Sequence, residues 1–193
     1  MTKKAIVLLA DGFEEVEAVT PIDYLRRSGI EVTAASIGGL AVKGARGITV
    51  NADLTLKDLV EQGQAGAAFW DAVILPGGMP GALNLAASGE TGALITEMAA
   101  AGKWVCAICA SPAVVLGPLG LLSGKKFTCY PGMEEKVQNG KWTDERIVVD
   151  GNTAGGGIIT SRGAGTAGEF AVAIIGQLLS EAEGDKVARM VLL

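Results

Sequence analysis

The sequence predicts an α/β protein whose central, mostly parallel sheet is covered by helices on both faces. Near-continuous apolar runs such as "KKAIVLLA" (residues 3–10) are typical of strands buried on both sides. Segments with apolar residues at helical spacing follow these runs, and such alternation favours right-handed crossovers between parallel strands. No linker, repeat or long charge run divides the 193 residues, so we expect a single domain over residues 1–193.

The first strand and the first helix are marked clearly. The apolar run before Asp11 has six residues, fewer than the ~7–15 of a signal-peptide core, so we interpret it as a strand. Over residues 14–29, arginines occupy the last turn and Gly29 ends the helix. Pro21 is expected to kink this helix or restrict its first half. The apolar residues at helical spacing are Val16, Val19, Ile22 and Leu25.

The remaining elements continue the alternation of strand and helix. They are a strand at 30–37, an irregular hairpin at 40–56, a buried strand at 71–78, a helix to about residue 101, a strand at 104–108, a strand and turn at 157–165, an amphipathic helix at 166–180 and a last helix at 184–193. Sites in open parallel sheets lie beyond the carboxyl ends of the strands. The turns "ADGFEE", "LPGGMPG", "ICASP" and "SRGAGT" are therefore predicted along one edge.

Composition and missing motifs argue against several classes of function. The net charge is −5 without a basic cluster, which disfavours nucleic-acid binding, and no phosphate-binding glycine loop indicates a nucleotide cofactor. The absence of histidine removes Ser-His-Asp and Cys-His sites and leaves no ligand set for zinc. Three cysteines are too few for a disulfide framework, so we expect a cytoplasmic location.

The stretch "WVCAICASPAVVLGPLGLL" (residues 104–122) has no charge and is long enough for a membrane span. Prolines and glycines interrupt it, and no pattern of flanking loops supports a membrane topology. A strand that turns at Cys109 into a helix from about Pro112 fits better, because proline suits the first helical position. Such a turn resembles a nucleophile elbow, which tolerates only small neighbours, and Ala107, Ala110 and Ser111 are small.

At such an elbow the thiol of Cys109 would face the positive end of a helix, which favours the thiolate. Backbone N–H groups after the cysteine could bind an oxyanion. The alternative is that Cys109 is a small buried hydrophobe, as we expect for Cys106 and Cys129. Gly77 and Gly78 follow a strand and are either an ordinary turn or a second source of oxyanion donors.

An acidic cluster opens the first helix at Glu14, Glu15 and Glu17. Helical spacing places Glu14 and Glu17 on a similar face and Glu15 away from them. A carboxylic acid beside the thiol would have its pKa raised by burial and by thiolate charge. It could donate a hydrogen bond to sulfur or move a proton, which is the acid–base chemistry that a chain without histidine offers.

Four motifs together resemble those of the ThiJ/PfpI superfamily in order and spacing: "LADGFEEVEAVTPID", "VILPGG", "AICASP" and "TSRGAGTAGEFA". The match is closest to the parkinsonism-associated deglycase branch and runs from about Ala5 to Leu192. Each motif alone is modest, but the ordered set is highly specific. The resemblance implies a flavodoxin-like sandwich, a homodimer and an enzyme that needs no metal or cofactor.

The resemblance also implies roles for single residues. Cys109 would be the nucleophile and Glu17 the carboxylic acid. The backbone N–H groups of Gly78 and Ala110 would be the oxyanion donors. The implied activities are removal of early glyoxal and methylglyoxal adducts from protein or nucleotide groups, and conversion of methylglyoxal to lactate. Both would protect against carbonyl and oxidative stress. The alternative is a redox-sensing or chaperone-like protein in which the cysteine is oxidised to sulfinate.

Some positions match the family less closely. Arg46 and Arg27 match family arginines near the site or the dimer interface. Tyr130 stands where many members have a histidine, which argues against a peptidase. The family sequence G-P-G-T reads "GAGT" here, without the stiffening proline, and Ser111 replaces a common glycine or alanine. We expect the Ser111 hydroxyl to cap the following helix.

Overall fold

The computed structural model describes residues 2–152 and 155–193. In chain order its strands are β1 (Lys4–Leu9), β2 (Glu31–Ser36), β3 (Ala41–Lys43), β4 (Thr49–Asn51), β5 (Leu54–Thr55), β6 (Ala72–Leu75), β7 (Trp104–Ile108), β8 (Lys126–Phe127), β9 (Lys141–Trp142), β10 (Ile147–Asn152) and β11 (Gly156–Ser161). Its α-helices are α1 (Glu15–Arg27), α2 (Leu56–Glu61), α3 (Gly81–Ala87), α4 (Gly89–Ala100), α5 (Ala167–Leu178) and α6 (Glu181–Val191).

Seven strands form the central sheet in the order β10, β11, β7, β6, β1, β2 and β5. All neighbouring strands are parallel except β10, which is antiparallel to β11. The pair β3 and β4 forms the predicted hairpin beside the sheet. The predicted α/β fold with a central, mostly parallel sheet is therefore confirmed.

The core lies on both faces of this sheet because side chains alternate along each strand. In β1, Val7 and Leu9 face the layer of α1, α5 and α6. Ile6 and Leu8 face the layer of α2, α3 and α4. All four side chains are fully buried, and each contributes roughly 1.5–3 kcal/mol of hydrophobic stabilisation. The paired faces explain why β1 reads as an unbroken apolar run.

Helix α1 departs from the predicted apolar stripe. Val16 and Val19 are 47% and 45% exposed, whereas Ala18, Pro21 and Leu25 are buried against the sheet. The stripe that starts at Ala18 keeps helical spacing and leaves the two valines on the outer side. The helix continues through Pro21 to its predicted arginine-rich last turn.

Other differences have local causes. The predicted helix after β6 is two helices, because Ser88 ends α3 and its hydroxyl caps α4. The helix predicted from Pro112 is a single π-helical turn, Pro112–Leu116, and Pro118 just beyond it has no N–H to extend the turn. Strand β10 was not predicted because its sequence contains Asp150 and Gly151. Neither described part of the chain has a helix both long and apolar enough for a membrane span.

Candidate active site

Cys109 lies at the sharp turn that ends β7. Its φ is +63°, a left-handed conformation that costs a non-glycine residue roughly 1–3 kcal/mol. Two backbone hydrogen bonds hold it: its N–H donates to the carbonyl of Ser161 at 2.9 Å, and its carbonyl accepts from the N–H of Tyr130 at 2.8 Å. The strained strand-to-helix turn predicted for an elbow is therefore present, and its thiol is partly exposed.

Ser111 does not cap the segment that follows, contrary to expectation. Its hydroxyl donates instead to the carbonyl of Pro76, at 2.6 Å, and both residues are buried. Pro112 has no N–H, and the N–H of Val114 already donates to the carbonyl of Ala110 at 2.9 Å, whereas the carbonyl of Pro76 would otherwise be buried without a partner. Ser111 thus ties the cysteine turn to the loop that follows β6.

That loop supplies two glycines to the site with different tasks. The N–H of Gly77 donates to Oε2 of Glu17 at 2.8 Å, so it holds the acid and is not free for an oxyanion. Gly78 has φ +85°, and a Cβ there would lie 2.4 Å from the backbone nitrogen of Glu14. Only glycine fits that position. The N–H groups of Gly78 and Ala110 both point at the sulfur of Cys109 and lower its pKa.

Glu17 is the buried acid of the site, with a side chain that is 1% exposed. Burial raises its pKa from 4.5 to about 7. A hydrogen bond with Cys109 and the N–H groups of Gly77 and Ala164 act in the opposite direction, while the charge of nearby Glu14 adds to the rise. The predicted raised pKa of this carboxyl is therefore present, and burial is its main cause.

The predicted lowering of the Cys109 pKa is wrong for the thiol taken alone. Burial raises the pKa of Cys109 to about 12, and the negative charge of Glu17 adds to the rise. The N–H groups of Gly78 and Ala110 only partly offset these effects. A single π-turn also provides little of the helix dipole on which the prediction relied.

Cys109 and Glu17 are hydrogen-bonded to each other and titrate as a pair. The first of their two protons leaves near neutral pH and the second only under strongly alkaline conditions. Between these limits the remaining proton lies on the sulfur, which is hydrogen-bonded to the Glu17 carboxylate, and backbone N–H groups contact both partners. The pair can therefore pass a proton from sulfur to oxygen without exchanging it with water.

A third loop closes the site on the side of β11. Thr166 accepts a hydrogen bond from the N–H of Gly163 and donates to its carbonyl, and its hydroxyl lies 2.6 Å from that of Ser161. These bonds hold the "GAGT" loop, which lacks the family proline. A Cβ on Gly163 would lie 3.9 Å from the sulfur of Cys109 and 3.9 Å from Oε1 of Glu17.

These groups open into a cleft of about 420 Å³. Its side chains include the predicted Cys109, Glu17, Arg46 and Tyr130, together with Glu14, Met79 and Met133. Arg27 is not among them: at the far end of α1 it pairs with Asp23 at 2.6 Å. Of the two predicted arginines, the structure brings only Arg46 to the cleft.

Glu15 points away from the cleft, as the helical spacing predicts, but it is 5% exposed. Its Oε1 accepts the N–H groups of Arg46 at 2.7 Å and of Ile48 at 3.3 Å. Burial raises the pKa of Glu15, but backbone hydrogen bonds outweigh it, so the net shift is downward. Glu15 thus fixes the hairpin loop that carries Arg46, a role that the sequence did not indicate.

The two other cysteines lie away from the cleft. Cys106 and Cys129 are 0% and 1% exposed, and burial raises the pKa of each. They are small buried hydrophobes, as the sequence predicts. Met79 and Met133 of the cleft were missed, although each had a signal: Met79 directly follows the glycine pair, and Met133 shortly follows Tyr130 in the same loop.

Comparison with known proteins identifies the family to which this fold and site belong. An α/β sandwich with a cysteine at a strained turn after a central strand defines a class of elbow-cysteine proteins. A model of the DJ-1/PfpI family matches residues 3–177. The chain is similar to Protein dj-1beta of Drosophila melanogaster, with 40% identity over 98% of this chain and 96% of that one. It is also 34% identical to a protein of Pyrococcus abyssi named a deglycase, over 77% of this chain and 86% of that one.

Solved structures agree. The crystal structure of Drosophila melanogaster DJ-1beta matches with a TM-score of 0.89 and 38% identity, over 100% of this chain and 99% of that one. The structure of oxidized Toxoplasma gondii DJ-1 matches with a TM-score of 0.90 and 36% identity, over 99% of this chain and 98% of that one. The chain belongs to the DJ-1/PfpI family, and its fold is the flavodoxin-like sandwich of these relatives.

Proposed function

We propose that the protein is a cysteine-dependent enzyme that acts on reactive carbonyl compounds without a cofactor. One observation carries the proposal: the thiol of Cys109, the buried carboxyl of Glu17 and the N–H groups of Gly78 and Ala110 meet at one cleft. These are a nucleophile, a proton carrier and two oxyanion donors. The deglycase name of the Pyrococcus abyssi relative supports the same class of substrate.

The first chemical step forms a hemithioacetal. The sulfur of Cys109 attacks the aldehyde carbon of a 2-oxoaldehyde, and the thiol proton passes to the Glu17 carboxylate. The electron pair of the carbonyl moves to oxygen, where the N–H groups of Gly78 and Ala110 stabilise the alkoxide. Glu17 then returns its proton to that oxygen.

The next steps convert the adduct to a 2-hydroxy acid. Glu17 removes the proton from the carbon bonded to sulfur, and the resulting enediol is reprotonated on the neighbouring carbon. The former aldehyde carbon is thereby oxidised to a thioester while the former ketone carbon is reduced to an alcohol, so no external oxidant is needed. Water hydrolyses the thioester and releases the acid and the thiol. Methylglyoxal would give lactate.

The same site would act on early glycation adducts. In an adduct of methylglyoxal with an amine, the sulfur attacks the carbon that carries the nitrogen. The carbon–nitrogen bond breaks as Glu17 protonates the leaving amine. The product on the enzyme is the hemithioacetal of the previous route, so one set of residues would serve deglycation and glyoxalase-type chemistry.

Lactate formation tests this function. Proton NMR would follow lactate released from free methylglyoxal and from a methylglyoxal-treated peptide. We expect Cys109→Ala to abolish lactate formation from both, and Cys129→Ala, the matched change at a buried cysteine, to retain it. Turnover that survives in Cys109→Ala would contradict the proposal.

A redox-sensing or chaperone-like role is the second candidate. It is favoured by the exposure of Cys109 relative to the two buried cysteines and by the groups that could stabilise a sulfinate on it, namely Glu17 and two N–H donors. The Toxoplasma gondii relative has been solved in an oxidized form. Mild peroxide followed by mass spectrometry should modify Cys109 first. Earlier oxidation of Cys106 or Cys129 would rule out this role.

We also propose a homodimer in the cytoplasm. Val16 and Val19 are half exposed on α1, and Ile48, which is 59% exposed, follows the loop anchored to that helix by Glu15. Apolar side chains grouped in this way are typical of interfaces. Sedimentation should give twice the chain mass for the wild type and a single chain mass for Val16→Asp combined with Val19→Asp. A wild-type monomer at micromolar concentration would contradict the dimer.

A further inference from the structure

The cleft around Cys109 has two unlike walls. One wall is charged and consists of Glu14 and Arg46. Oε2 of Glu14 lies 3.9 Å from Nε of Arg46. The other, which we call the apolar wall, consists of Met79, Tyr130 and Met133. The mechanism proposed above uses none of the three side chains of the apolar wall, although they line the same cleft as Cys109.

Two members of the apolar wall are exposed to solvent, and the third, Met133, packs against the hydrophobic core. Met79 and Tyr130 are 48% and 53% exposed. Met133 is partly buried and packs against the cluster of Ala82, Ala110 and Val114, which includes the residue after the cysteine. A Cβ placed on Gly163 would lie 3.7 Å from the ring of Tyr130 and 3.9 Å from the sulfur, so ring and sulfur border the same space. A substrate bonded to the sulfur would contact this wall.

The charges of the cleft do not favour an anionic substrate. Among the described residues that line it, Arg46 is the only cation; its side chain is 76% exposed, and Glu14 already pairs with it. Two carboxyl groups, those of Glu14 and Glu17, border the same space. A substrate that carries its own carboxylate would meet no uncompensated positive charge from these residues.

We propose that the apolar wall is a specificity site for neutral carbonyl substrates whose non-reacting substituent is apolar. This inference rests on the proposed function for the reacting end of the substrate and adds the chemistry of its other end. Methionine side chains adapt to irregular apolar groups, and tyrosine adds a flat apolar face. A cleft of about 420 Å³ has room for a branched alkyl or phenyl group beside the reacting carbon. Branched 2-oxoaldehydes would then be better substrates than glyoxal.

Alkylation of Cys109 tests the wall without any turnover. Rates for iodoacetamide, N-phenyliodoacetamide and iodoacetate would be measured by peptide mass spectrometry and divided by the rates for glutathione. We expect the rate ratio of N-phenyliodoacetamide to iodoacetamide to be roughly tenfold higher for Cys109 than for glutathione. The rate ratio of iodoacetate to iodoacetamide should be lower for Cys109 than for glutathione. A wild-type ratio of phenyl reagent to iodoacetamide equal to that of glutathione overturns the proposal, and a relative preference for iodoacetate overturns its neutral-substrate part.

Substitutions of the two methionines test whether the preference for the phenyl reagent comes from the apolar wall. Met79→Ser and Met133→Ser should each reduce the phenyl preference by roughly threefold, and the double variant should bring it close to the glutathione ratio. Met190→Ser is the matched control, because Met190 is 52% exposed on α6 and lies outside the cleft. A double variant that melts cooperatively and keeps the full phenyl preference also overturns the proposal.

Steady-state kinetics separate this inference from the proposed function. We expect kcat/KM for isopropylglyoxal, relative to glyoxal, to fall about tenfold in Met79→Ser combined with Met133→Ser. Cys109-dependent turnover with an unchanged ratio would overturn the wall while the proposed function stands. No turnover of any 2-oxoaldehyde, together with a retained phenyl preference in alkylation, would overturn the proposed function and support the wall.

Discussion

At the amino-terminal edge of the sheet, Asp71 lies between two lysines, with its Oδ1 3.2 Å from Nζ of Lys3 and 3.5 Å from Nζ of Lys103. At the carboxyl edge, Glu17 is surrounded by backbone N–H groups, a thiol and a second carboxylate. Burial raises the pKa of both carboxyls. At Asp71 the backbone N–H of Lys4 and the lysines outweigh burial and lower the pKa, whereas at Glu17 burial prevails.

The difference shows what each edge is built for. A carboxylate compensated by two lysines is a structural anchor, here of the starts of β1, β6 and β7. A buried carboxyl whose pKa is set mainly by burial gains or loses its proton near neutral pH, which is the property a proton carrier needs. The comparison therefore distinguishes Glu17 from Asp71 by surroundings and not by residue type.

Substitution of each carboxyl should distinguish the two roles, and the largest difference is expected in the rate of carbonyl turnover. We expect Glu17→Gln to reduce Cys109-dependent carbonyl turnover by roughly a thousandfold, because general acid–base groups contribute about 10²–10⁴-fold. Asp71→Asn should leave kcat/KM within about twofold. Stopped-flow or NMR assays with methylglyoxal would measure both, and a large loss in Asp71→Asn with a small one in Glu17→Gln would reverse the comparison.

The pH dependence of stability should have opposite signs at the two edges. Folding raises the pKa of Glu17 from 4.5 to about 7. The contribution of Glu17 to the unfolding free energy, measured against Glu17→Gln, is therefore fully present below pH 4.5 and is lost as the pH rises to about 7. The loss amounts to roughly 3 kcal/mol of unfolding free energy. The pKa of Asp71 is lowered from 3.8, so stability relative to Asp71→Asn is present above that pH and is lost on acidification. Denaturant unfolding from pH 3 to 8 would show both, and parallel curves would contradict the assignment.

Two glycines near Glu17 offer a smaller test. A Cβ on Gly77 would lie 2.7 Å from Oε2 of Glu17 and 2.7 Å from Cβ of Cys109, whereas a Cβ on Gly163 makes ordinary contacts. We expect Gly77→Ala to lower kcat/KM by roughly tenfold or more by displacing the acid from the thiol. Gly163→Ala should change it less. Equal effects in the two variants would show that the packing around Glu17 is not critical.

Ser111→Ala should have the smallest effect. It leaves the buried carbonyl of Pro76 without its donor, which costs about 1–3 kcal/mol of unfolding free energy. Because this bond ties the turn at Cys109 to the loop of Gly78, kcat should fall by a few-fold with KM little changed. Ser123→Ala, at an exposed serine, is the control. Unchanged stability and kcat in Ser111→Ala would show that the hydrogen bond from Ser111 supports neither the fold nor the site.

Much of the architecture could be predicted from local patterns. The double-sided burial of β1 reads directly as an apolar run, and small residues around Cys109 indicated the turn. Helical spacing separated Glu15 from Glu14 and Glu17, whereas the choice of Glu17 as the acid came from the family resemblance.

Properties set by distant contacts could not be predicted. The partner of Ser111 lies 35 residues away in sequence. The pKa of Cys109 depends on its burial and on the charge of Glu17, neither of which the sequence displays. The length of the turn after Pro112 was overestimated because the effect of Pro118 on its last hydrogen bonds depends on the exact course of the backbone.

The coupling of the Cys109 thiol to the Glu17 carboxyl is tested most directly by the pH dependence of Cys109 alkylation. Iodoacetamide rates would be measured from pH 4 to 11 in the wild type and in Glu17→Gln. The wild-type rate should still be rising at the upper end of this range, because burial and the charge of Glu17 raise the pKa of the thiol, and the rise in Glu17→Gln should occur at lower pH because that charge is removed. Superimposable profiles in the two proteins would contradict the account.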